Sequence, residues 1–387
     1  MDDKARDSHP QDGTDEEGLE AEPSFTSTEL PEVIERPFDP LEIKISRRIV
    51  TVGLITRRIE YGEIELAPDF QRRARIWDVV RKSKLIESIL LRIPLPVFYV
   101  AADDAENWRV VDGLQRLTTI YDFIHTETEH SFSLRGLEYL QAYEGATFDQ
   151  LPRSIKRRID ETELNINVIE SGTPDEVMFN VFKRINTGGI TLNGQEIRHA
   201  LNPGPAREFL ATLAGCPEFK AATDGSVSDQ RMGARELALR FSAFILIPYQ
   251  QYSEGNLDGF LNEAMKRLNH LSSSELDALY ERFKISMVRA RALFNNDAFR
   301  KRFSPNAGRT PINRALFEAW SVPLSGMSKD DFSRLEINSE LLNSIFQKAL
   351  NTNQFFLSSI SISTGSRARV IERFSTIEKI IKEVLGA

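Results

Sequence analysis

The sequence has one cysteine, five histidines and no long apolar run, and these shortages exclude several classes of protein. A single cysteine, Cys216, excludes an intramolecular disulfide and any cluster of thiolate ligands, and it is typical of a reducing compartment. The histidines lack the spacing of metal ligands. No apolar stretch approaches the roughly 18 residues of a membrane-spanning helix, and no apolar secretory signal follows Met1. We therefore expect a soluble, cytoplasmic protein without zinc, haem or flavin.

Two widespread catalytic motifs are missing as well. No glycine-rich Walker loop ends in Lys-Ser or Lys-Thr, as the common nucleoside triphosphatases require. No Gly-x-Ser-x-Gly elbow marks a serine hydrolase. Any enzymatic chemistry of this chain is therefore expected to use a less common site.

Charge is distributed unevenly along the chain. Residues 1–39 hold 13 acidic and 3 basic residues, a net charge of −10, so residues 40–387 carry +2 within the total of −8. A slightly basic body can present a cationic face to phosphates, but it falls short of the excess typical of a dedicated DNA-binding domain. Charge therefore permits nucleic acid as a partner without requiring it.

The pattern of apolar residues divides the chain into three segments. Residues 1–40 are acidic, rich in Pro, Ser, Thr and Gly, and nearly free of aliphatic periodicity, so they are predicted to form a disordered tail. Residues 41–202 alternate short strands with helices, which is typical of an α+β domain. Residues 203–387 carry apolar stripes at helical spacing and are predicted to form an all-helical domain. Asn193 and Glu196 have the spacing of a capping box, which predicts a helix start.

The most informative segment is VVDGLQRLTT at 110–119, where a predicted strand ends in Asp112-Gly113 and an amphipathic helix begins. Gly113 permits a tight turn, and the free N–H groups of a helix start favour an anion such as phosphate. An outward-pointing Arg116 can clamp phosphate oxygens, Gln115 can orient a water or contact a base or sugar, and Asp112 can hold a divalent cation or a ribose hydroxyl. The alternative is structural: Asp112 caps the helix, Gly113 serves the turn and Arg116 pairs with a surface acid.

Four motifs in a fixed order carry a resemblance to a known family. They are PDFQRRARIW, KSKLIESILLRIPLPVFYV, VVDGLQRLTTIYDF and FKRINTGGITLNGQEIRHAL. Together they resemble the N-terminal domain family of GmrSD-type modification-dependent restriction enzymes, over about residues 45–202. That family is similar in fold to ParB/sulfiredoxin-like domains and is associated with nucleotide binding and hydrolysis in phage defence. The resemblance therefore implies a small mixed sheet with helices in residues 41–202.

The signature of that family is an Asp-Gly-Gln-Gln-Arg run, which Asp112, Gly113, Gln115 and Arg116 match. Leu114 stands where the first glutamine would be, so the resemblance implies nucleotide binding more strongly than hydrolysis. It implies Asp112, Gln115 and Arg116 as candidate catalytic residues. The expected ligand is a nucleoside triphosphate with Mg²⁺.

Two further polar elements are candidate walls of the same pocket. Gln71 and Arg72 follow a predicted strand, where side chains converge on a sheet edge; without the resemblance, a solvated basic turn is the better interpretation. Lys183, Arg184 and Asn186 precede a Gly-Gly pair, and in the family this loop lies close to the signature arginine. We therefore include these five residues in the predicted nucleotide-binding set.

The leading interpretation is a nucleotide-binding sensor or regulatory component of a phage-defence or restriction system, with NTP hydrolysis as an extension of that role. Residues 271–387 contain no histidine, so the HNH-type nuclease of larger relatives is expected to be a separate polypeptide or lost. The alternative is a non-enzymatic DNA-binding module of ParB-like type that uses Arg72, Arg73, Arg75 and the cluster Lys156-Arg157-Arg158. A ParB-like nuclease is least favoured, because clustered acids are few.

Overall fold

The chain divides into two compact units. The sheet unit spans residues 34–192, and the helical unit combines residues 193–387 with residues 1–33. The structure, a computed structural model, describes residues 13–21, 44–66, 77–185, 192–253 and 256–386.

A mixed five-stranded sheet forms the centre of the sheet unit among the described residues. The strands are β1 (Ile45–Thr51), β2 (Ile64–Glu65), β3 (Phe98–Ala102), β4 (Trp108–Asp112) and β5 (Glu163–Ile169). Their order in the sheet is β1-β5-β3-β4-β2. The β1–β5 and β3–β4 pairs are antiparallel, whereas β3–β5 and β2–β4 are parallel. The predicted α+β class is confirmed.

Five α-helices accompany the sheet in the described residues, and two of them begin at a side-chain cap. They are α1 (Val52–Glu60), α2 (Val79–Leu90), α3 (Leu114–Ile124), α4 (Arg153–Asp160) and α5 (Asp175–Ile185). Asp78 caps α2, because its side chain accepts a hydrogen bond from the Arg81 N–H at 2.8 Å. Thr51 caps α1 in the same way. These short-range contacts explain why the predicted helices over this region are present.

One face of the sheet is apolar and covered by helices. On β5, Leu164, Ile166 and Val168 are buried, whereas the alternating Asn165 and Asn167 are half-buried. Successive side chains of a strand point to opposite faces, so the two sets lie on opposite sides of the sheet. Apolar residues of α1, α2, α3 and α4 pack with the first set to form the core. The other face of the sheet carries the polar set.

The helical unit begins at Asn193 rather than at residue 203. Its helices are α6 (Gly194–Leu201), α7 (Pro205–Gly215), α8 (Pro217–Ala222), α9 (Gly233–Leu246), α10 (Leu257–His270), α11 (Ser273–Phe294), α12 (Arg314–Gly326), α13 (Lys329–Ile337), α14 (Ser339–Thr352), α15 (Gln354–Ser359) and α16 (Arg367–Leu385). Asn193 and Glu196 form the predicted capping box. Arg198 on α6 pairs with Asp258 on α10 at 2.7 Å, which ties α6 to this unit. No helix in the described stretches is long and apolar enough to span a membrane.

Residues 13–21, which we call the acidic strap, pack into the helical unit although they lie in the segment predicted to be a disordered tail. The Leu19 side chain is fully buried, and Glu20 is nearly so. Leu19 forms an isolated parallel β-bridge with Ile312. Composition averaged over residues 1–40 misses this docking, because its partners lie about 300 residues further along the chain.

A buried ion pair network links three helices of the helical unit. Glu318 on α12 and Arg373 on α16 are both inaccessible to solvent and in direct contact. Arg240 on α9 approaches the second oxygen of Glu318 at 3.3 Å. Arg373 also donates to the Thr364 carbonyl at 2.6 Å. Each buried charge therefore has a counter-charge or a carbonyl, which offsets its desolvation cost.

We expect Arg373→Ala to lower the free energy of unfolding by about 3 kcal/mol, because it leaves the buried Glu318 carboxylate with incomplete compensation. The measurement is chemical denaturation of the full chain. Arg267→Ala is the matched control, since Arg267 and Glu263 form a half-exposed pair at 2.9 Å whose loss typically costs under about 1 kcal/mol. Equal losses for the two variants would contradict a special role for the buried network.

Candidate functional site

A β-bulge sets the register at the end of β4. Val100 on β3 pairs with Val110 on β4. Tyr99, the residue that precedes Val100, pairs with Asp112 instead of Val111. Val111 is therefore an extra residue on β4, and a bulge of this kind redirects the chain next to a strand end. The shift places Asp112 beside Tyr99 at the junction with α3.

Gly113 is the residue that makes this junction possible. Its φ is +95°, in the left-handed region that favours glycine. A Cβ at this position would lie 2.4 Å from Cδ1 of Phe98, which is too close for any side chain. Gly113 is also the N-cap of α3, and no side chain caps the helix. The cap residue of α3 therefore supplies no side-chain acceptor, and a helix start of this kind favours an anion.

The Arg116 side chain turns inward, so the prediction that it points out toward a pocket mouth is wrong. Only 12% of the side chain is exposed. Its guanidinium donates to the carbonyls of Pro96 and Val97, which lead into β3, and to Asp112 Oδ2 at 2.9 Å. It also lies 4.4 Å from the centre of the Phe98 ring. These contacts hold the guanidinium against the segment that leads into β3.

Electrostatics around Arg116 reflect this burial. Burial lowers the pKa of the Arg116 guanidinium below its ordinary value, and the Asp112 carboxylate acts against that change. The group remains a cation at neutral pH because its ordinary pKa is so high. The Asp112 carboxylate therefore stabilises the charged form of the buried guanidinium.

Asp112 keeps part of its carboxylate accessible. The side chain is 35% exposed, and Oδ2 accepts from Arg116. No described group donates a hydrogen bond to the other oxygen. Asp112 does not cap α3, because Gly113 occupies the cap position, so that part of the structural alternative does not hold. Within the described stretches, no group of three or more His, Cys, Asp or Glu side chains is arranged to hold a metal ion.

A row of polar residues extends from Asp112 across the sheet. Arg47 on β1 pairs with Asn167 on β5, Asn167 with Tyr99 on β3, and Tyr99 with Asp112. All four are at least partly exposed. Sequence reasoning missed Arg47, Tyr99 and Asn167 as members of the row that begins at Asp112. The alternating asparagines of β5 predict that one face of the strand is polar. They do not predict which residues of the neighbouring strands lie beside them.

The other predicted site residues are less informative. Gln115 is half-buried in the first turn of α3, and Leu114 packs against the core of the sheet unit. Lys183 and Arg184 are exposed in the last turn of α5. The remaining predicted site residues lie outside the described part of the chain: Gln71, Arg72 and Asn186.

The basic cluster on α4 is mostly engaged within the sheet unit. Lys156 donates to the Asp149 carbonyl at 2.8 Å, and Arg158 donates to the Leu90 carbonyl at 3.1 Å. Arg157 is the exposed member, with 73% of its side chain accessible. Two of the three cations therefore serve local structure.

We expect Arg116→Ala to lower the free energy of unfolding by about 2–3 kcal/mol, because two carbonyls and the Asp112 carboxylate lose a charged donor. Arg116→Lys should recover part of this loss, since lysine keeps the charge but not the planar fork. Lys84→Ala is the control, because the Lys84–Glu138 pair is about half exposed. Urea unfolding midpoints test all three variants. An unchanged midpoint for Arg116→Ala would mean that these contacts do not hold the junction together.

Comparison with known proteins identifies the sheet unit. No curated protein matches the chain. Residues 55–202 match the family model described as GmrSD restriction endonuclease, N-terminal domain. The matched stretch includes β2 to β5 and the junction between Asp112 and Arg116. This chain therefore carries a domain of the GmrSD restriction endonuclease N-terminal family, as its four sequence motifs predicted.

Proposed function

We propose that the sheet unit is a nucleotide-binding domain of ParB/sulfiredoxin-like kind, and that the chain is a sensor or regulatory component of a restriction or phage-defence system. The family match over residues 55–202 supports the restriction context. The small mixed sheet supports the fold relationship. In this role the effector nuclease is a separately encoded polypeptide.

The observation that carries the proposal is the junction between β4 and α3. Three features coincide there: a partly exposed carboxylate at Asp112, a left-handed glycine with no side chain, and a helix start without a side-chain cap. The N-terminus of a helix attracts phosphate through its free N–H groups and its partial positive charge. Because Gly113 has no Cβ, the chain can turn against the Phe98 ring and begin the helix directly after Asp112.

Asp112 is assigned to the divalent cation that accompanies the nucleotide. Mg²⁺ is usually held in nucleotide sites by one or two carboxylates together with the phosphate oxygens and water. The oxygen of Asp112 that Arg116 leaves unoccupied suits this role. Gln115, in the first turn of α3, is assigned to orienting a water or contacting the sugar or base.

Arg116 is assigned to positioning Asp112. Its inward contacts with Pro96, Val97 and Asp112 hold the carboxylate in one orientation. These contacts engage three of the five N–H donors of the guanidinium. Gln71, Arg72, Lys183, Arg184 and Asn186 remain candidates for direct phosphate contact, as the family resemblance implies.

DNA is the alternative ligand of the sheet unit. The basic cluster on α4 offers it little, because Lys156 and Arg158 already bind carbonyls of the same unit. Arg72, Arg73 and Arg75 lie outside the described residues. A nucleotide therefore remains the better supported ligand.

We expect the full chain to bind a nucleoside triphosphate in the presence of Mg²⁺, and Asp112→Asn to weaken that binding about tenfold or more, because a charged contact contributes about 1.5–3 kcal/mol. The loss should be much smaller without Mg²⁺, since the proposed contact of Asp112 is with the cation. Calorimetry with the common triphosphates measures both affinities, and release of inorganic phosphate reports any hydrolysis.

Glu138→Gln is the matched control for this experiment. Glu138 is a half-exposed carboxylate of the same unit, paired with Lys84 and remote in sequence from the junction. It should leave nucleotide affinity unchanged. No heat from any triphosphate, combined with salt-dependent binding of a DNA duplex, would favour the DNA-binding alternative. Equal effects of Asp112→Asn with and without Mg²⁺ would remove the cation from the proposed site.

A further inference from the structure

The acidic strap, residues 13–21, is a closed turn that satisfies much of its own backbone. The Asp15 N–H donates to the Leu19 carbonyl at 2.8 Å, and Asp15 Oδ1 accepts from the Leu19 N–H at 3.0 Å. The Ala21 N–H donates to the Gly13 carbonyl at 2.8 Å. Asp side chains commonly organise turns through local bonds of this kind. The strap is therefore shaped by its own residues as well as by its surroundings.

Three carboxylates of the strap each pair with a cation of the helical unit. The pairs are Asp15–Arg314 at 2.7 Å, Glu16–Arg231 at 2.9 Å and Glu20–Lys301 in direct contact. Asn313 also donates to Glu20 at 3.0 Å. Lys301 and Glu20 are almost entirely buried, so their attraction is weakly screened. The surface under the strap is complementary to it in charge.

The same surface recognises the backbone and one apolar side chain. The Glu20 N–H donates to the Ile312 carbonyl at 2.9 Å, and the Ser228 N–H donates to the Glu17 carbonyl at 2.9 Å. The Leu19 side chain is fully buried between these contacts. Proteins commonly bind peptide segments through such a combination of a buried apolar anchor, main-chain hydrogen bonds and flanking charge pairs.

One carboxylate of the strap, that of Glu17, is buried without full hydrogen-bond pairing. Glu17 Oε1 accepts from the Asn193 amide at 3.2 Å, but the buried Oε2 has no donor among the described residues. Burial, followed by repulsion from Glu236 and Asp15, raises the pKa of Glu17 to about 7. The charged groups that face Glu17 are Asp15 of the strap, Glu236 of α9, Arg314 of α12 and Arg231, which precedes α9. A buried carboxylate without full pairing weakens the seating of the strap.

We propose that the surface under the strap is a binding site for an acidic peptide segment of a partner protein, and that residues 13–21 occupy it as a built-in competitor. We call this surface the strap seat and define it by Asn193, Arg231, Lys301, Asn313 and Arg314. The partner segment carries a leucine between carboxylates, preceded by glycine, as the strap does. The partner competes with a tethered segment whose effective concentration is on the order of millimolar. The poor fit of Glu17 lowers the barrier to that exchange.

The test uses the full chain with Leu19→Asp, which places a charge in the fully buried Leu19 position and prevents the strap from seating. A fluorescent peptide of residues 11–23 is titrated into this variant and into the wild type, and anisotropy reports binding. We expect at least tenfold tighter binding to Leu19→Asp than to the wild type. Adding Arg314→Ala should weaken that binding at least tenfold. A peptide with Gly18→Val should fail, because Gly18 has φ +79° and its Cβ would lie 2.0 Å from the Ser226 carbonyl oxygen.

Three outcomes overturn the proposal. A folded Leu19→Asp chain that binds the peptide no better than the wild type shows that the seat does not accept a separate segment. Loss of helical circular dichroism and of a cooperative melt in Leu19→Asp shows that the strap is an integral part of the core. A concentration-dependent dimer of the wild type that Leu19→Asp abolishes shows exchange between two copies in place of a partner protein.

Seating of the peptide should also depend on pH through Glu17. The free carboxyl ionises near its ordinary pKa of 4.5 and the seated one near 7, so seating takes up a proton between these values. Affinity should therefore fall as pH rises from 5.5 to 7, by up to about tenfold per pH unit, and then level off. A peptide with Glu17→Gln should lack this component. Identical pH profiles for the two peptides would contradict the buried placement of Glu17.

Discussion

A charged side chain that is buried away from water needs a counter-charge or a hydrogen-bond partner. This requirement constrains how the helices pack in both units. In the helical unit, the Glu318 carboxylate lies between Arg240 and Arg373 and thereby links α9, α12 and α16. In the sheet unit, the buried Asp122 of α3 pairs with Lys82 of α2 at 3.2 Å. Because an unpaired buried charge is so costly, each pair restricts the helices that contribute it to one arrangement. The second pair positions α3, whose first turn forms the candidate site.

The same requirement gives Arg116 two roles at once. Its guanidinium satisfies carbonyls at the start of β3 and orients the Asp112 carboxylate at the end of β4. Arg116 is therefore also part of the support of the sheet. Because Arg116 supports the sheet, variants of Arg116 are interpretable only when stability is measured beside any ligand affinity. Asp112, which is more exposed, separates the two effects more cleanly.

Periodicity and local caps predicted the elements well. The amphipathic pattern after Gly113 predicted the helix found at Leu114–Ile124, and the alternation on β5 predicted the strand at Glu163–Ile169. The capping box at Asn193 was predicted from two residues three positions apart. The inward turn of Arg116 was not predicted, because its acceptors are the carbonyls of Pro96 and Val97 on another element. Residue type and spacing carry no information about such acceptors.

The sequence by itself determined those elements whose apolar pattern is local, such as α3 and β5, together with the glycine at the β4–α3 junction and the family of the sheet unit, because these depend on residues close together in the chain. Tertiary structure decided the bulge that pairs Asp112 with Tyr99 and the polar row that continues to Asn167. It also decided the docking of the acidic strap, whose Asp15 meets Arg314. Strand register and long-range ion pairs depend on which distant surfaces the folded chain brings together, and local sequence does not specify that.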